Sequence, residues 1–271
     1  MNLDTLHAFE DEVRKVVPKF KLAYKDESKL MKLLGFFAVL FNPDFMTRYT
    51  TTLNTTVYFP SKSYYEAQPK SSLTVLAHEM VHMLDNKKYP IWYQFTYAFP
   101  QVIAPLFFVA YGIEVGRHAW PLAVFFGGLV LACLFGKISQ ATLWITLGLT
   151  FAAVSTLAIY LTGWWAALFF GGALFLGPWA SPGRAYWEVR GYAMNMAVLT
   201  WTYGPPPSVI KDITVKHFVR SDYYFMSWSK QGPSDKLDAA IEQAQNGELQ
   251  KDRPYGIVYD FLAAKGELRK G

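Results

Sequence analysis

The apolar segment between Phe95 and Ala180 constrains the fold of this chain more than any other feature of the sequence. The only formal charges inside it are Glu114, Arg117 and Lys137, and each lies in a short polar break. The breaks divide the segment into four apolar stretches, residues 96–113, 119–136, 141–161 and 164–180. Since a helix of about 20 apolar residues crosses a bilayer, the pattern predicts about four transmembrane helices.

The apolar segment accounts for the high hydrophobic and low charged content of the chain. Hydrophobic residues make up 52% of the 271 residues and charged residues only 17%, whereas a typical globular domain is about 25% charged. The alternative interpretation is a set of hydrophobic helices in a globular core, but core helices of this length usually keep a polar face. The first stretch contains Pro100, Gln101 and Pro105, so it is compatible with a re-entrant segment as well as with a full span.

The positive residues predict how the spans are oriented. Of the 26 Lys and Arg residues, 12 precede Phe95 and 12 follow Ala180, which leaves Arg117 and Lys137 for the loops. Cytoplasmic loops carry the excess of positive charge, so four spans place both termini in the cytoplasm and the 114–118 loop outside. We therefore expect a multi-pass integral protein of the cytoplasmic membrane, with the lipid bilayer as a partner.

The net charge of +5 forms no basic patch, and we expect no nucleic-acid partner.

A short motif before the apolar segment predicts a metal site. The stretch LTVLAHEMVHMLDNKK, residues 73–88, contains His78, Glu79 and His82 in the pattern HExxH. On a helix, residues four apart lie one turn apart on the same face, so both imidazoles can bind one Zn²⁺. Glu79 is rotated away from this face and can act as a general base on a water molecule. The alternative is a helix whose two histidines are hydrogen-bonded in a core or at a surface.

A catalytic zinc site needs a third protein ligand, and Glu188 is the best candidate. The only cysteine, Cys133, lies inside a predicted span. Glu188 follows the apolar segment in a pattern that predicts a helix from Pro182 to about Tyr203. With four spans, this helix emerges on the same side of the membrane as the HExxH helix, and Gly191 would let the two helices approach closely.

These elements together resemble a known group of enzymes. HExxH on one helix, then membrane spans, then a helix with Glu188 is similar to the gluzincin metallopeptidases, and the layout resembles the integral-membrane HtpX and CAAX-protease group. The resemblance implies that His78, His82 and Glu188 bind one Zn²⁺ and that a peptide or a membrane protein is the substrate. Where the family has the aspartate of E-x-x-x-D, this chain has Tyr192.

The implied fold class is a mainly α membrane protein. Its zincin-like α+β part is interrupted by about four transmembrane helices, inserted between the HExxH helix and the Glu-bearing helix. Residues 1–90 are then the N-terminal part of the metallopeptidase domain, residues 91–180 the transmembrane region, and residues 181–271 the C-terminal part with a tail. In the N-terminal part, RYTTTLNTTVYFP predicts one strand or a hairpin, and PSKSYYEAQPKSS predicts a loop whose Ser71 or Ser72 caps the HExxH helix.

Five further residues are candidates for supporting the metal or the transition state: Asp85, Tyr192, His217, Arg220 and Tyr223. Asp85 lies on the same helix face as the histidines and either accepts a hydrogen bond from one of them or pairs with Lys87 or Lys88. No sequence signal selects a donor to the oxyanion from the segment KHFVRSDYYF, which contains His217, Arg220, Tyr223 and Tyr224. The segment TTVYFP either binds substrate as an added strand or is an ordinary sheet strand.

The predicted function is peptide hydrolysis by a membrane-embedded zinc metalloendopeptidase. The zinc ion polarises the scissile carbonyl group and lowers the pKa of a water molecule to about 7, while Glu79 takes a proton from the water and passes it to the leaving amine. The alternative is a membrane-anchored structural or pore-forming protein, or a binding protein, whose metal site is inactive or structural. Glu79 argues against a purely structural site, since such sites use four ligands and no base.

Overall fold

The computed structural model describes residues 1–38, 43–99, 180–220 and 226–269. The segments Met1–Leu33, Asp44–Tyr97 and Ala180–Gly271 belong to one compact unit. A second unit combines Leu34–Pro43 with Ala98–Trp179, and most of it lies outside the described residues. The elements that position the candidate site belong to the first unit.

In the N-terminal part of the chain, short helices alternate with the strands of a small sheet. The described elements are α1 (Leu3–Val16), β1 (Lys21–Tyr24), α2 (Lys29–Ala38), β2 (Thr51–Leu53), β3 (Thr56–Phe59), α3 (Lys62–Ala67), α4 (Pro69–Lys88) and α5 (Pro90–Ala98). The strand order is β1-β3-β2, with β1 parallel and β2 antiparallel to β3. The predicted hairpin is therefore confirmed as β2 and β3. Its turn uses Asn54 at a φ of 57°, a conformation in which asparagine is enriched.

The C-terminal part is helical in the described residues. Its elements are α6 (Pro182–Tyr203), α7 (Ser208–Val219), α8 (Gln231–Asn246), a 3₁₀ helix (Leu249–Lys251) and α9 (Arg253–Ala264). Proline suits the first position of α6 because the N–H group there makes no intrahelical bond, and Gly204 ends the helix with a φ of 96°. The predicted helix from Pro182 to Tyr203 is confirmed.

One hydrophobic core joins the two parts. Helix α1 buries Leu6, Phe9 and Val13, whose spacing of three and four residues follows the helical repeat. Helices α4 and α6 pack against each other, and α6 also packs against α8. Each fully buried side chain of this size contributes roughly 1.5–3 kcal/mol, so the core holds α4 and α6 in a fixed relation.

The structure corrects the predicted membrane fold class and the predicted multi-pass localisation. In the part of the chain that the structure describes, no helix is both long enough and apolar enough to cross a bilayer. Helices α4 and α6 have the length, with 20 and 22 residues, but each carries several ionisable side chains, which are costly in a bilayer. Helix α5 contains the start of the first predicted span and ends at Ala98 after 9 residues. The rest of the four stretches, residues 100–179, lies outside the described residues.

Two local predictions also differ from the structure, and one strand has no clear signal in the sequence. The strand β1 has four residues, which are too few to show a clear alternation. Helix α3 lies in the segment predicted as a loop, and α4 begins at Pro69, so Ser71 and Ser72 lie inside the helix and do not cap it. Oγ of Ser72 instead donates to the carbonyl oxygen of Tyr65 at 2.6 Å, which ties α4 to α3.

Candidate metal centre

Two histidines on α4 form the first half of the candidate centre. His78 and His82 are both buried, and their Nε2 atoms lie 3.0 Å apart. The helical repeat explains why they meet, since residues i and i+4 lie on the same face. Both rings therefore direct Nε2 to a common point.

Glu188 on α6 completes the group. Its carboxylate is buried, with Oε2 3.5 Å from Nε2 of His78 and Oε1 3.7 Å from Nε2 of His82. One ligand atom from each residue lies within 4.8 Å of the other two, and the three residues could together hold a metal ion. The structure thus brings together, from two helices far apart in the sequence, the three residues that were predicted as ligands.

The distances and the donor chemistry fit a divalent cation. Ligand atoms at about 2.0–2.2 Å from a tetrahedral zinc ion are roughly 3.3–3.6 Å apart. Nε2 of His78 lies 3.0 Å from Nε2 of His82 and 3.5 Å from Oε2 of Glu188, which is close to that range. The 3.7 Å separation joins Nε2 of His82 to the other carboxylate oxygen, Oε1. Oε2 of Glu188 is buried and has no hydrogen-bond partner among the described residues. A buried polar atom without a partner is costly, and a bound cation would satisfy this one.

The pKa shifts of Glu188 and His82 favour a positive charge beside the carboxylate of Glu188. Burial alone would raise the pKa of Glu188, but the two adjacent histidines hold that pKa well below its usual range. Burial opposes a charge on His82, yet the pKa of His82 is raised because its ring lies beside the carboxylate of Glu188. The carboxylate is therefore ionised, and a proton or a metal ion at the histidines compensates its charge.

Gly191 lets α6 approach α4 at the centre. A Cβ atom built on residue 191 would lie 2.5 Å from Nε2 and 2.6 Å from Cε1 of His78, well inside the ~3.5–4.0 Å at which non-bonded atoms pack best. The predicted reason for a glycine at this position, a close approach of the two helices, is confirmed. Any larger residue would push the imidazole away from Glu188.

Aromatic residues close one side of the centre. The hydroxyl group of Tyr97 on α5 donates to Oε1 of Glu188 at 2.5 Å. The rings of Tyr93 and Tyr97 stack with centroids 5.4 Å apart, and the centroid of each lies 6.2 Å from that of His82. Trp187 packs on Tyr93 at 5.0 Å; Tyr93, Tyr97 and Trp187 are called the aromatic wall below. Burial raises the pKa of Tyr97 well above its usual value, and the charge of Glu188 raises it further, so the phenol keeps the proton that it donates.

Asp85 ties the two ligand helices together. Its buried carboxylate accepts two hydrogen bonds from Arg190 on α6, from Nε at 2.7 Å and from Nη2 at 3.0 Å. Neither predicted alternative contains this partner, since one assigned Asp85 to a histidine and the other to Lys87 or Lys88. Bidentate pairs of arginine and carboxylate are among the stronger hydrogen-bonded contacts, and this pair fixes α4 against α6 near the ligand residues.

Another side of the centre opens into a cleft with a volume of about 350 Å³. The cleft reaches His78 and Glu79 on α4. Tyr192, His217 and Arg220, three of the residues predicted to support the metal or the transition state, also line it. Tyr223 and Tyr224 lie outside the described residues. The structure therefore gathers three of the remaining candidates at the cleft rather than at the aromatic wall.

Glu79 is held at the cleft by the edge of the sheet. Oγ1 of Thr52 on β2 donates to Oε2 of Glu79 at 2.8 Å. The ring of Tyr192 lies edge-on to His78 with centroids 4.9 Å apart, and His217 stacks on Tyr192 at 6.1 Å. A carboxylate, a ligand candidate and two rings with polar atoms thus border the same space.

The segment TTVYFP lies in the middle of the sheet. It forms β3, which pairs with β1 on one side and with β2 on the other, so an added strand has no free edge there. The alternative of an ordinary sheet strand is confirmed. An extended peptide could instead reach β2, which is an edge strand of the described sheet.

Three supporting residues, Thr52, Tyr97 and Arg190, carry little signal in the sequence. Each contacts a residue far along the chain, at separations of 27, 91 and 105 residues. Tyr97 also lies in an apolar, aromatic run that fits the start of a membrane span. The sequence could have indicated that Arg190 has an acidic partner, because it lies on the same helix as Glu188 and a buried charge needs a partner. It does not indicate that this partner is Asp85.

The described fold and site define a class: a helical protein with a small sheet and a buried group of two histidines and one glutamate that could hold a metal ion. Comparison of the chain with protein-family models, with curated proteins and with solved structures finds no match.

Proposed function

We propose that this protein is a zinc-dependent peptidase. The observation that supports this most strongly is the position of Glu79, which lines the cleft directly beside His78 while the buried face of the same helix carries both histidines. A structural metal site needs no carboxylate at an opening. The resemblance of the HExxH and Glu188 pattern to the gluzincin metallopeptidases supports the same class.

The donor set favours zinc as the ion. Two imidazole nitrogens and one carboxylate oxygen form a set that zinc hydrolases use, with one position kept for water or substrate. Among the described residues, the group consists of His78, His82 and Glu188, which is three ligands rather than the four of a closed structural site. A zinc ion bound there supplies a Lewis acid for the scissile carbonyl group and lowers the pKa of a water molecule.

Glu79 acts as the general base in this proposal. The hydrogen bond from Thr52 holds Oε2, so the carboxylate keeps one orientation and Oε1 accepts a proton from water in the cleft. The water oxygen adds to the carbonyl carbon, the C–N bond breaks, and Glu79 carries the proton to the leaving nitrogen. General acid–base catalysis of this kind contributes typically about 10²–10⁴-fold to the rate.

Tyr192 is the proposed donor to the oxyanion. Its ring is edge-on to His78 and lines the cleft, and a phenol is a good hydrogen-bond donor. His217 stacks on Tyr192 at an interplanar angle of 9°, which restrains the ring. Tyr192 occupies the position of the aspartate in the family pattern, so this chain would use that position for the oxyanion rather than for the metal ligands.

The edge strand β2 suits an extended peptide as substrate. Among the described residues, β2 pairs with β3 on one side only, and Thr50, directly before it, lines the cleft. An extended peptide can add to such an edge through main-chain hydrogen bonds. Because Thr52 on this strand also holds Glu79, a peptide paired with β2 would lie close to the base.

The test combines metal analysis with hydrolysis of a denatured protein. The full chain, stripped with a chelator and reloaded with zinc, is expected to hold one ion per chain and to cleave the substrate. Glu79→Gln is expected to keep the ion and to lose hydrolysis. Glu242→Gln, at an exposed glutamate on α8, is the matched control and should behave as the wild type. Hydrolysis by Glu79→Gln would contradict the proposal, and zinc binding without hydrolysis in the wild type would favour a structural metal site.

A further inference from the structure

The two oxygens of the Glu188 carboxylate have different surroundings. Oε1 accepts the hydrogen bond from Tyr97 at 2.5 Å, whereas Oε2 has no hydrogen-bond partner among the described residues. Oε2 lies 3.5 Å from Nε2 of His78, and Oε1 lies 3.7 Å from Nε2 of His82, so the hydrogen bond from Tyr97 is what distinguishes the two oxygens. Since a carboxylate can bind an ion through one oxygen or through both, this difference determines how Glu188 can act as a ligand.

Tyr97 is held in place by several contacts. Nε of Arg184 donates to its backbone oxygen at 3.0 Å, and the guanidinium carbon lies 5.2 Å from the centre of its ring. Thr96, the preceding residue, accepts a hydrogen bond from the indole of Trp187 at 2.9 Å. The stack on Tyr93 restrains the ring as well. These contacts join α5 to α6 within one turn of Glu188, so the phenol is positioned before any ion binds.

We propose that Tyr97 is a positioning residue that makes Glu188 a one-oxygen ligand, with Oε1 occupied by the phenol and Oε2 left for the ion. This inference rests on the metal site of the proposed function and deepens it. Catalytic zinc sites keep one position open beside three protein ligands, and a carboxylate that bound through both oxygens would compete for that position. Tyr97 therefore serves to keep the site open as well as to orient its ligand.

Cobalt tests this inference without an assay of peptide hydrolysis. Four-coordinate Co²⁺ absorbs visible light much more strongly than five- or six-coordinate Co²⁺, so the intensity of the bands reports the number of ligand atoms. The full chain is loaded with Co²⁺ as the wild type, as Tyr97→Phe and as Tyr203→Phe. Tyr203→Phe is the matched control, because it removes a phenolic hydroxyl group from an exposed tyrosine at the end of α6 and keeps the bond between Tyr97 and Glu188. Visible absorption, Co²⁺ content and thermal unfolding are measured on the same samples.

We expect intense bands in the wild type and in Tyr203→Phe, and several-fold weaker bands in Tyr97→Phe at equal Co²⁺ content. Equal intensities in all three proteins, or weak bands in the wild type, would overturn the inference. Loss of Co²⁺ from Tyr97→Phe would overturn it too, since the phenol is proposed to set the mode of binding and not the presence of the ion. No Co²⁺ binding by the wild type would overturn the metal site itself. If only Tyr97→Phe shows weaker bands and the wild type cleaves no polypeptide, the inference about Tyr97 is upheld and the peptidase function is overturned.

Discussion

The aromatic wall and the cleft reach different members of the group of ligand candidates and differ in their chemistry: the wall contacts His82 and Glu188, whereas the cleft reaches His78. At the wall, the half-buried rings of Tyr93 and Tyr97 lie beside His82, and the phenol of Tyr97 donates to one oxygen of Glu188. At the cleft, Glu79 and Tyr192 face a volume of about 350 Å³. The wall restrains a ligand candidate through a hydrogen bond, whereas the cleft is open and is lined by the carboxylate that we propose as the base. Under the proposed function, α5 restrains a ligand residue of α6 through Tyr97, whereas the sheet edge restrains the proposed base on α4 through Thr52.

The largest expected effect separates the two sides most clearly. His82→Ala removes a ligand beside the wall, and we expect it to lose most of the metal and with it all hydrolysis, because two protein ligands make a poor site. His217→Ala, at the cleft, should keep the metal and lower only the rate. Metal content per chain and turnover, measured on the same preparations, check both results. Full zinc retention in His82→Ala would contradict the assignment of the ligands.

The three ligand candidates could be predicted to lie together because their signals in the sequence are local. The four-residue spacing of His78 and His82 defines one helix face by itself. The helix that carries Glu188 is bounded by a proline and a glycine that suit its two ends. Gly191 then indicates a contact point, since an absent side chain on a buried helix permits close approach.

The wall and the base-holding contact could not be predicted, for two physical reasons. Thr52 and Tyr97 reach their partners across 27 and 91 residues, and no periodicity records a pair at such a distance. The run that contains Tyr97 is apolar and aromatic, and hydrophobicity shows that a segment avoids water without showing what it packs against. Tyr97, which lies in a stretch predicted to cross a bilayer, therefore contacts a polar centre instead.

A buried lysine supports the cleft side. Lys25, at the end of β1, is fully buried, and its Nζ donates to the carbonyl oxygen of Phe45 at 2.6 Å and lies 3.8 Å from the centre of the Phe45 ring. Asp44 and Arg48, on either side of Phe45, line the cleft, so Lys25 holds one cleft wall against the sheet. Burial lowers the pKa of Lys25 to about 7, and the negative charge of Glu79 opposes this shift.

The second-largest effect is expected from Lys25→Met, as a change in the pH dependence of stability. The reference pKa of lysine is 10.5 and the folded value about 7, so the folded state binds fewer protons between these two pH values and the free energy of unfolding rises with pH across that window. Below about pH 7 Lys25 is protonated in both the folded and the unfolded state. The cost of burying its charge is then fully present, and the free energy of unfolding no longer changes with pH through this group. The variant should lose the rise, which is at most about 1.4 kcal/mol per pH unit for one proton, and should be more stable than the wild type near pH 6.

Urea unfolding at intervals from about pH 6 to about pH 10 measures this dependence. Lys21→Met, at an exposed position on the same strand, is the control and should leave the wild-type slope unchanged. If Lys25→Met and the wild type gain stability equally as the pH rises, Lys25 is not the group that titrates. In the variant, faster tryptic cleavage after Arg48 would show in addition that the lysine restrains the cleft wall.

A third prediction concerns His78, which is one of the three ligand candidates and also lines the cleft. Gly191→Ala would place a methyl group 2.5 Å from Nε2 of His78, so the imidazole must move, and we expect zinc affinity to fall about 10–100-fold, as when a ligand loses a supporting contact. Gly232→Ala is the control, since nothing lies within 4 Å of its added Cβ, and it should leave affinity unchanged while raising the free energy of unfolding by roughly 0.5–1 kcal/mol. Competition with a chelator measures affinity, and equal values for the two variants would contradict a role of His78 as ligand.

The smallest expected effect lies entirely at the cleft. Thr52→Val keeps the shape of the side chain and removes the O–H group that donates to Oε2 of Glu79 at 2.8 Å. A hydrogen bond to a charged group contributes about 1.5–3 kcal/mol, and for the half-buried Thr52 we expect about 1 kcal/mol, which is roughly a fivefold lower kcat. Metal content should not change, because Glu79 is proposed as a base and not as a ligand. Steady-state kinetics at saturating zinc measure the change.

Thr55→Val is the matched control for this small effect, since it removes a hydroxyl group that donates to the backbone oxygen of Lys19, away from the centre. It should leave both kcat and metal content at the wild-type level. A Thr52→Val protein that loses metal would show that the carboxylate of Glu79 helps to hold the ion. Glu79 would then bind the ion as well as act as the base, and the proposed difference in role between the wall and the cleft would be wrong.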